Sequence, residues 1–494
     1  MINSLIVLGG GNAGLMTALY IKSSYPHLPV TVIKSTKIGT IGVGEGSTEH
    51  WDIFSKATGI PNWEIIQEAG ATLKAGIKFE NWHGDGTSYY HSVPEFYAVM
   101  EAYSGIPHVM LTEIANGCPP GNLHWDLAMS GHHAEPLADN FFQFHFDSER
   151  LNALFLKKCS ERNITVVEAE VVDAVLDQDG FVEAVVDTDN QKYAADFFVD
   201  SSGFRRVISS KLGSQWVDWS EYLPMNSAIA FPTPYEENIP PWTLSKALSS
   251  GWCWRSPVQH RFGNGYVFSD AFITEQQAID EIQKDFKDPI NIARKVNFVS
   301  GKIDKFWIKN CVSVGLSSSF VEPLEASSIS TTVQQARLLT VSLSTWCRND
   351  TATPKHYNKQ FDEVMSNILD FIQLHYFTER TDSEFWRWCK NDLKMTDFNA
   401  EHIPIFKKNF INQMSLPANT YNLYDILNWV QVMHGLRMFD LKNITRLAKS
   451  MHGHTAKEAA YILSTVPGIH DDTYYTPREA VNIVKARGDG RIQL

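Results

Sequence analysis

The chain has no run of about 18 consecutive apolar residues and does not open with a charged segment leading into an apolar one, so neither a membrane-spanning helix nor a secretory leader is expected. Positive charge is also scarce. Lysine and arginine number 43 against 56 aspartates and glutamates, a formal charge of −13 spread along the chain. That leaves no basic surface to track a phosphate backbone, so nucleic acid is not an expected partner. The six cysteines (Cys118, Cys159, Cys253, Cys311, Cys347 and Cys389) contain no CxxC pair. No disulfide framework or metal site is therefore expected, and the thiols fit a reducing, cytoplasmic setting. Low-complexity linkers and internal repeats are missing too. What is present is 494 residues, 44% hydrophobic and 20% charged, a composition with ample apolar material for a large buried core.

The first chemical signal is at the start. Leu5-Ile6-Val7-Leu8 reads as a short buried strand, Gly9-Gly10-Gly11-Asn12-Ala13-Gly14 as a GxGxxG turn, and the apolar residues from Leu15 as a helix. In that order, Gly9 permits the tight turn, Gly11 lets the backbone approach a pyrophosphate, and Gly14 allows close helix packing. The helix N-terminus then faces the phosphates. A plain glycine-rich turn in an α/β domain is the alternative. The second strand, Val30 to Ile33, is followed by Lys34 and Ser35 where an acid that grips a ribose hydroxyl is expected. Just beyond, Gly42-Val43-Gly44-Glu45 offers another backbone surface to a cofactor. Two later segments, Phe197 to Asp200 running into Gly203 and Cys311 to Val314 running into Gly315-Leu316, read as strands ending in small-residue turns. Strand ends so far apart in sequence suit a long, extended cofactor, and FAD is preferred to NAD on that ground.

These segments, together with Leu73-Lys74-Ala75-Gly76-Ile77-Lys78-Phe79, Gly251-Trp252-Cys253-Trp254, Phe320-Val321-Glu322-Pro323-Leu324-Glu325 and His375-Tyr376-Phe377-Thr378, resemble the flavin-dependent tryptophan halogenases through most of the chain. The resemblance implies an α/β (α+β) flavin monooxygenase-like fold with a mainly helical C-terminal substrate module. It implies halide oxidation driven by reduced FAD and oxygen, and halogenation of an electron-rich aromatic ring. The flavin module is expected over residues 1–340, discontinuous and carrying substrate-covering insertions, with the helical module over 341–494.

Lys74 stands where the family carries its catalytic lysine, whose amine orients hypohalous acid or carries the halogen. Lys78, four residues on, is assigned a structural or surface role. Glu325 corresponds to the family's active-site glutamate, able to polarise hypohalous acid or take the proton that the ring loses. Glu322 is expected to cap a helix beginning at Pro323. The family pattern F-x-x-P-x-x-S-x-G appears here as Phe320, Pro323, Ala326 and Ser328, so the halide pocket is altered. Ser327 and Ser328 still offer amides and hydroxyls to an anion. Bromide or iodide, easier to oxidise than chloride, is favoured. Trp252 and Trp254 belong to the pattern W-x-W-x-I-P, with Ser256 in place of the isoleucine. The resemblance implies a barrier between substrate and flavin, against the plain reading of two core aromatics on one face of a strand.

The substrate end departs further. His91 matches a family histidine, but Val93 replaces the phenylalanine that stacks on indole, and the stretch from Tyr421 to Met438 lacks the family's Phe-Trp pair and acid. A broader set of phenols, indoles or anilines, or a larger tethered substrate, is therefore expected over free tryptophan. No second GxGxxG follows a strand, so a separate flavin reductase is expected to supply FADH2. Homo-oligomerisation is left open. The competing readings are a single-component flavin hydroxylase and a catalytically degenerate flavin-binding protein.

Overall fold

A computed structural model describes residues 2–38, 45–91, 110, 113–115, 117, 133–134, 143–409, 411, 415–450 and 474–486. The chain separates into two compact units, each assembled from three segments. Unit 1 takes Met1–Ala71, Phe146–Ser220 and Val299–Ser366, and unit 2 takes Thr72–His145, Glu221–Phe298 and Asn367–Leu494. The division differs from a single boundary near residue 340. The segments expected to be insertions in the flavin module group with the C-terminal helices, because their strands pair with one another rather than with the strands of unit 1.

Unit 1 is built on β1 (Leu5–Leu8), whose four residues are all buried and which therefore needs a strand on each side and cover on both faces. β1 lies parallel to the strand Phe197–Asp200 on one side and to β2 (Val30–Lys34) on the other. Cys311–Ser313 and Thr165–Glu168 extend the parallel sheet, and Trp307–Ile308 closes one edge antiparallel. The helix α1 (Asn12–Ser24) follows β1 directly and packs against the helices Ser148–Glu161 and Ser327–Leu343. The opposite face is covered by a three-stranded antiparallel sheet, Val171–Leu176, Val182–Asp187 and Lys192–Ala194. Ile6, Leu8, Ile33 and Phe198 meet Val171, Val182 and Val185 there in one core.

Unit 2 holds a seven-stranded sheet in the order Arg294–Asn297, Ser227–Pro234, Arg261–Phe268, Gly251–Val258, Trp242–Ala247, Gly76–Glu80 and Ser88–His91. All of its pairings are antiparallel except that of Trp242–Ala247 with Gly76–Glu80. The helix Glu275–Gln283, started by a Thr274/Gln277 capping box, packs Ala278 and Ile282 onto Ile229, Phe231, Tyr266 and Phe268. From residue 367 on, helices dominate, including Glu384–Asn391, Asp397–Phe406 and Ile426–Gly435, as the helical periodicity predicts. Among the described residues no helix is long and apolar enough to cross a membrane, and no group of histidine, cysteine, aspartate and glutamate is arranged to hold a metal ion.

Candidate functional site

In unit 1 the glycines of the first turn are fixed by close approach. Gly9 has φ +121, and a Cβ there would overlap the Ser201 carbonyl. A Cβ on Gly14 would overlap the carbonyl of Gly9, and one on Gly10 the stem of Lys34. Gly11 is different, because a Cβ there would meet nothing within 4 Å. Gly11 is also the N-cap of α1 and, having no side chain, leaves the first N–H groups of the helix without a side-chain cap. Open space in front of uncapped amides is the arrangement a pyrophosphate requires. Asn12 donates to the Ser148 carbonyl at 3.2 Å, and Asn152 donates to the Gly10 carbonyl at 2.9 Å and to Asn12 Oδ1 at 3.1 Å. Asn152 thus braces the turn from the helix Ser148–Glu161, and no motif in the sequence singles it out.

The other two strand ends converge on this turn. Gly315 has φ +59, and a Cβ on it would come within 2.6 Å of the Ala13 Cβ, so the Gly315–Leu316 turn abuts the start of α1. Gly203 has φ +70 and open space before it. Asp200 lies behind both turns. Its carboxylate accepts from the Ser202 amide and hydroxyl at 3.0 and 2.6 Å, from the Ile208 and Ser209 amides at 3.0 and 2.8 Å, and from the Ser209 and Ser317 hydroxyls. Both oxygens are therefore engaged by the protein, which makes Asp200 a support for the turns rather than a direct cofactor contact. Gln335 completes the bracing, accepting from the Gly315 amide at 3.0 Å and donating to the Ser313 carbonyl and the Ser318 hydroxyl.

At the end of β2, Lys34 is paired in register with Glu168 of the neighbouring strand and bonded to it at 3.2 Å; the same carboxylate accepts from the amide and hydroxyl of Thr36. The acid missing from β2 is thus present one strand over, next to Lys34 and Ser35, at a sequence distance that no fingerprint spans. Gly42, Val43 and Gly44 lie outside the described residues, and Glu45 is described only as backbone in the strand Glu45–Gly46.

The Phe320 to Ser328 segment corrects one expectation. The helix does not begin at Pro323, and Glu322 makes no side-chain cap bond. Pro323–Glu325 is a single 3-10 turn, Ala326 takes φ +53, and the long helix starts only at Ser327. The left-handed residue breaks the helical path, and it puts a strained non-glycine backbone next to Glu325, which is buried at 2% exposure. Ser327 is buried and Ser328 exposed, and both occupy the first turn of a helix whose N-cap, Ala326, has no side-chain acceptor. Phe320 is half-buried on the strand Ser319–Phe320, edge-on to Phe204 at 5.5 Å, while Pro323 is exposed.

Unit 2 carries the remaining candidates. Lys74 lies between the strands Thr72–Leu73 and Gly76–Glu80 at 2% exposure, so the default of a solvated surface lysine does not describe it. Its amide donates to the Gln143 carbonyl at 3.0 Å and that of Ala75 to the Pro241 carbonyl at 2.6 Å, which fixes the backbone on both sides of the side chain. Lys78 is different: half-buried, 3.3 Å from the Glu80 carboxylate and 6.0 Å from the Trp242 ring. Trp252 and Trp254 share one face of the strand Gly251–Val258, with ring centroids 6.3 Å apart. Trp252 is buried to 1% exposure, while the Trp254 indole lies over Gly265 of the next strand, where a Cβ would collide with the ring. His91 ends the sheet's edge strand, buried, and its Nε2 lies 2.9 Å from Asn428 Nδ2. Asn428, on the helix Ile426–Gly435, went unsuspected because 337 residues separate it from His91. Val93 lies outside the described residues.

A family model described as tryptophan halogenase matches residues 4–452. Among curated proteins the chain is 29% identical to tryptophan 7-halogenase RebH of Lentzea aerocolonigenes, over 95% of this chain and 98% of that one. It is 30% identical to tryptophan 6-halogenase ThaL of Streptomyces albogriseolus, over 86% and 85%. Among solved structures it is similar to Tar14, a tryptophan C-6 flavin-dependent halogenase from taromycin biosynthesis. That match has a TM-score of 0.86 at 25% identity and covers 98% of this chain and 100% of that one.

Proposed function

The chain belongs to the tryptophan halogenase family and is a flavin-dependent halogenase; from that premise we propose that it oxidises bromide or iodide and delivers the halogen through Lys74 to an electron-rich aromatic substrate other than free tryptophan. The observation that carries the reading is the burial of Lys74, a cationic side chain that a fold keeps out of water only for a reason. FAD, reduced by a separate flavin reductase, supplies with oxygen the two-electron oxidation that turns halide into hypohalous acid.

The residues of unit 1 would hold the cofactor. The amides at Gly11, Asn12, Ala13 and Gly14 bind the pyrophosphate at the head of α1. Lys34, Ser35 and the neighbouring Glu168 serve the ribose, and Gly203, Gly315 and Leu316 form turns that Asp200 and Gln335 keep in place. Halide is drawn by the amides of Ser327 and Ser328 at the start of a 17-residue helix, where the helix dipole favours an anion. In unit 2, the Lys74 ammonium hydrogen-bonds hypohalous acid and sets the direction from which the halogen meets the ring. Trp254 blocks the ring from the oxidant by bulk, and His91 faces the substrate. The Glu325 carboxylate takes the proton that the substitution releases, so that ring, halogen and proton balance. The replacement of the family's serine and glycine by Ala326 and Ser328 supports the easier halides, and the missing C-terminal acid supports substrates without an amino-acid backbone.

The test is mass spectrometry of an aromatic panel incubated with protein, FAD, a flavin reductase, NADH, oxygen and each halide in turn. Brominated or iodinated phenols, indoles or anilines from wild type but not from Lys74→Ala support the reading. Hydroxylated products, or halogenation of free tryptophan alone, overturn it.

A further inference from the structure

The edge strand Ser88–His91 and the helix Ile426–Gly435 pack together in unit 2, and the register of that packing is fixed at two points. Tyr89 and His91, two apart on a strand, point to the same side. Asn428 and Gly435, seven apart on a helix, lie on the same face. A Cβ on Gly435 would collide with the Tyr89 ring, so this glycine lets the helix come down onto Tyr89. His83 adds a second tie, its Nε2–H donating to the Gly435 carbonyl at 2.8 Å. Two turns earlier, Asn428 meets His91.

The orientation of the Asn428 amide follows from chemistry rather than from choice. Asp425 is the N-cap of the helix and Asn428 its third residue, and the two form a capping box. The Asp425 backbone N–H, which can only donate, lies 2.7 Å from Asn428 Oδ1, so that atom is the oxygen. The other amide atom is then the NH2 group, and it points at His91 Nε2 from 2.9 Å. A nitrogen that faces an NH2 group at that distance must offer its lone pair. The ring proton of His91 is therefore on Nδ1.

We infer that Asn428 is a positioning residue that holds His91 as the Nδ1–H imidazole, so that an aromatic substrate meets this histidine as a ring to stack upon and not as a base at Nε2. The Nε2 lone pair is already spent on Asn428, so it takes no proton from a phenol hydroxyl or an indole N–H. Phe371, 5.6 Å from His91 and stacked on Tyr424 at 4.1 Å, limits tilting of the imidazole from behind. This rests on the proposed role of His91 at the substrate.

Long-range 15N–1H correlation spectra of the full-length protein with 15N-labelled histidine, the His91 signal identified by its loss in His91→Gln, show which ring nitrogen carries the proton. Asn428→Asp and Asn428→Gln both keep a capping-box acceptor for the Asp425 amide. The aspartate presents its second oxygen to Nε2 and draws the ring proton there, while the longer glutamine moves its amide away from the ring. The expected result is Nδ1–H in wild type and Nε2–H in Asn428→Asp. Both variants should bind FAD as wild type does and lose about fivefold to tenfold in kcat/KM on the aromatic panel, mainly through KM. Nε2–H in wild type overturns the inference whatever the substrate role. Nδ1–H in wild type with kcat/KM unchanged in both variants and in His91→Gln overturns instead the role of His91 on which it rests.

Discussion

The two units use their sequence differently. In unit 1 the candidate groups are mostly backbone: amides at Gly11 to Gly14, turns at Gly203 and Gly315, and the first turn of the helix at Ser327. In unit 2 they are side chains, Lys74, His91 and Trp254, each fixed by partners far away in sequence, as His91 is by Asn428. A backbone site is specified where glycine is required and side chains would obstruct. A side-chain site is specified by what surrounds it. The first kind tolerates substitution of its non-glycine residues, and the second fails when a single group is removed.

Lys74→Ala should sharpen this contrast most. Halogenated product should fall by about 10²–10⁴-fold, the range for loss of one positioned catalytic group, with FAD affinity unchanged in fluorescence titration. A loss of FAD binding in parallel would break it. Gly9→Ala should do the reverse. It forces a Cβ against the Ser201 carbonyl at φ +121 and should cost about 3 kcal/mol or more of stability in urea unfolding, with FAD binding lost.

Asp370 offers a pH-dependent test within unit 2. Burial, opposed by the Thr396 hydrogen bond and the nearby His402, raises its carboxyl from 3.8 to about 6. A carboxyl raised on folding stabilises the native state at pH below its unfolded value, and that contribution is lost as pH rises through about 6. Asp370→Asn removes the dependence. Its stability relative to wild type should therefore grow by about 3 kcal/mol between pH 4 and pH 7 in urea melts, at about 1.4 kcal/mol per unit. A flat difference across that range would refute the assignment. The smallest effect is expected at the start of the helix Ser327–Leu343, where Ala326→Gly relieves a left-handed alanine and should gain about 1 kcal/mol, read from the same melts.

How far the sequence reaches follows the same division. The strand, turn and helix from Leu5 to Ser24 were legible because they are contiguous and their spacing carries the geometry. Helical periodicity gave the helix running on from Ser327, though not its start, because nothing in Pro323-Leu324-Glu325-Ala326 announces that an alanine will take positive φ. Asp200 looked like a cofactor contact because it ends a strand beside small residues. Only its six protein donors, two of them from the helix Val207–Lys211 and one from Ser317, make it a support.

The sequence by itself determined the family, the flavin-binding turn and the identity of the candidate lysine, since each is written in residues close together and read through spacing. The tertiary structure alone decided which residues brace that turn, that an acid stands beside Lys34, that Lys74 is buried, and which nitrogen of His91 carries its proton. Those depend on hydrogen bonds and burial between segments far apart in the chain, and such contacts leave no periodic or local trace for a sequence to display.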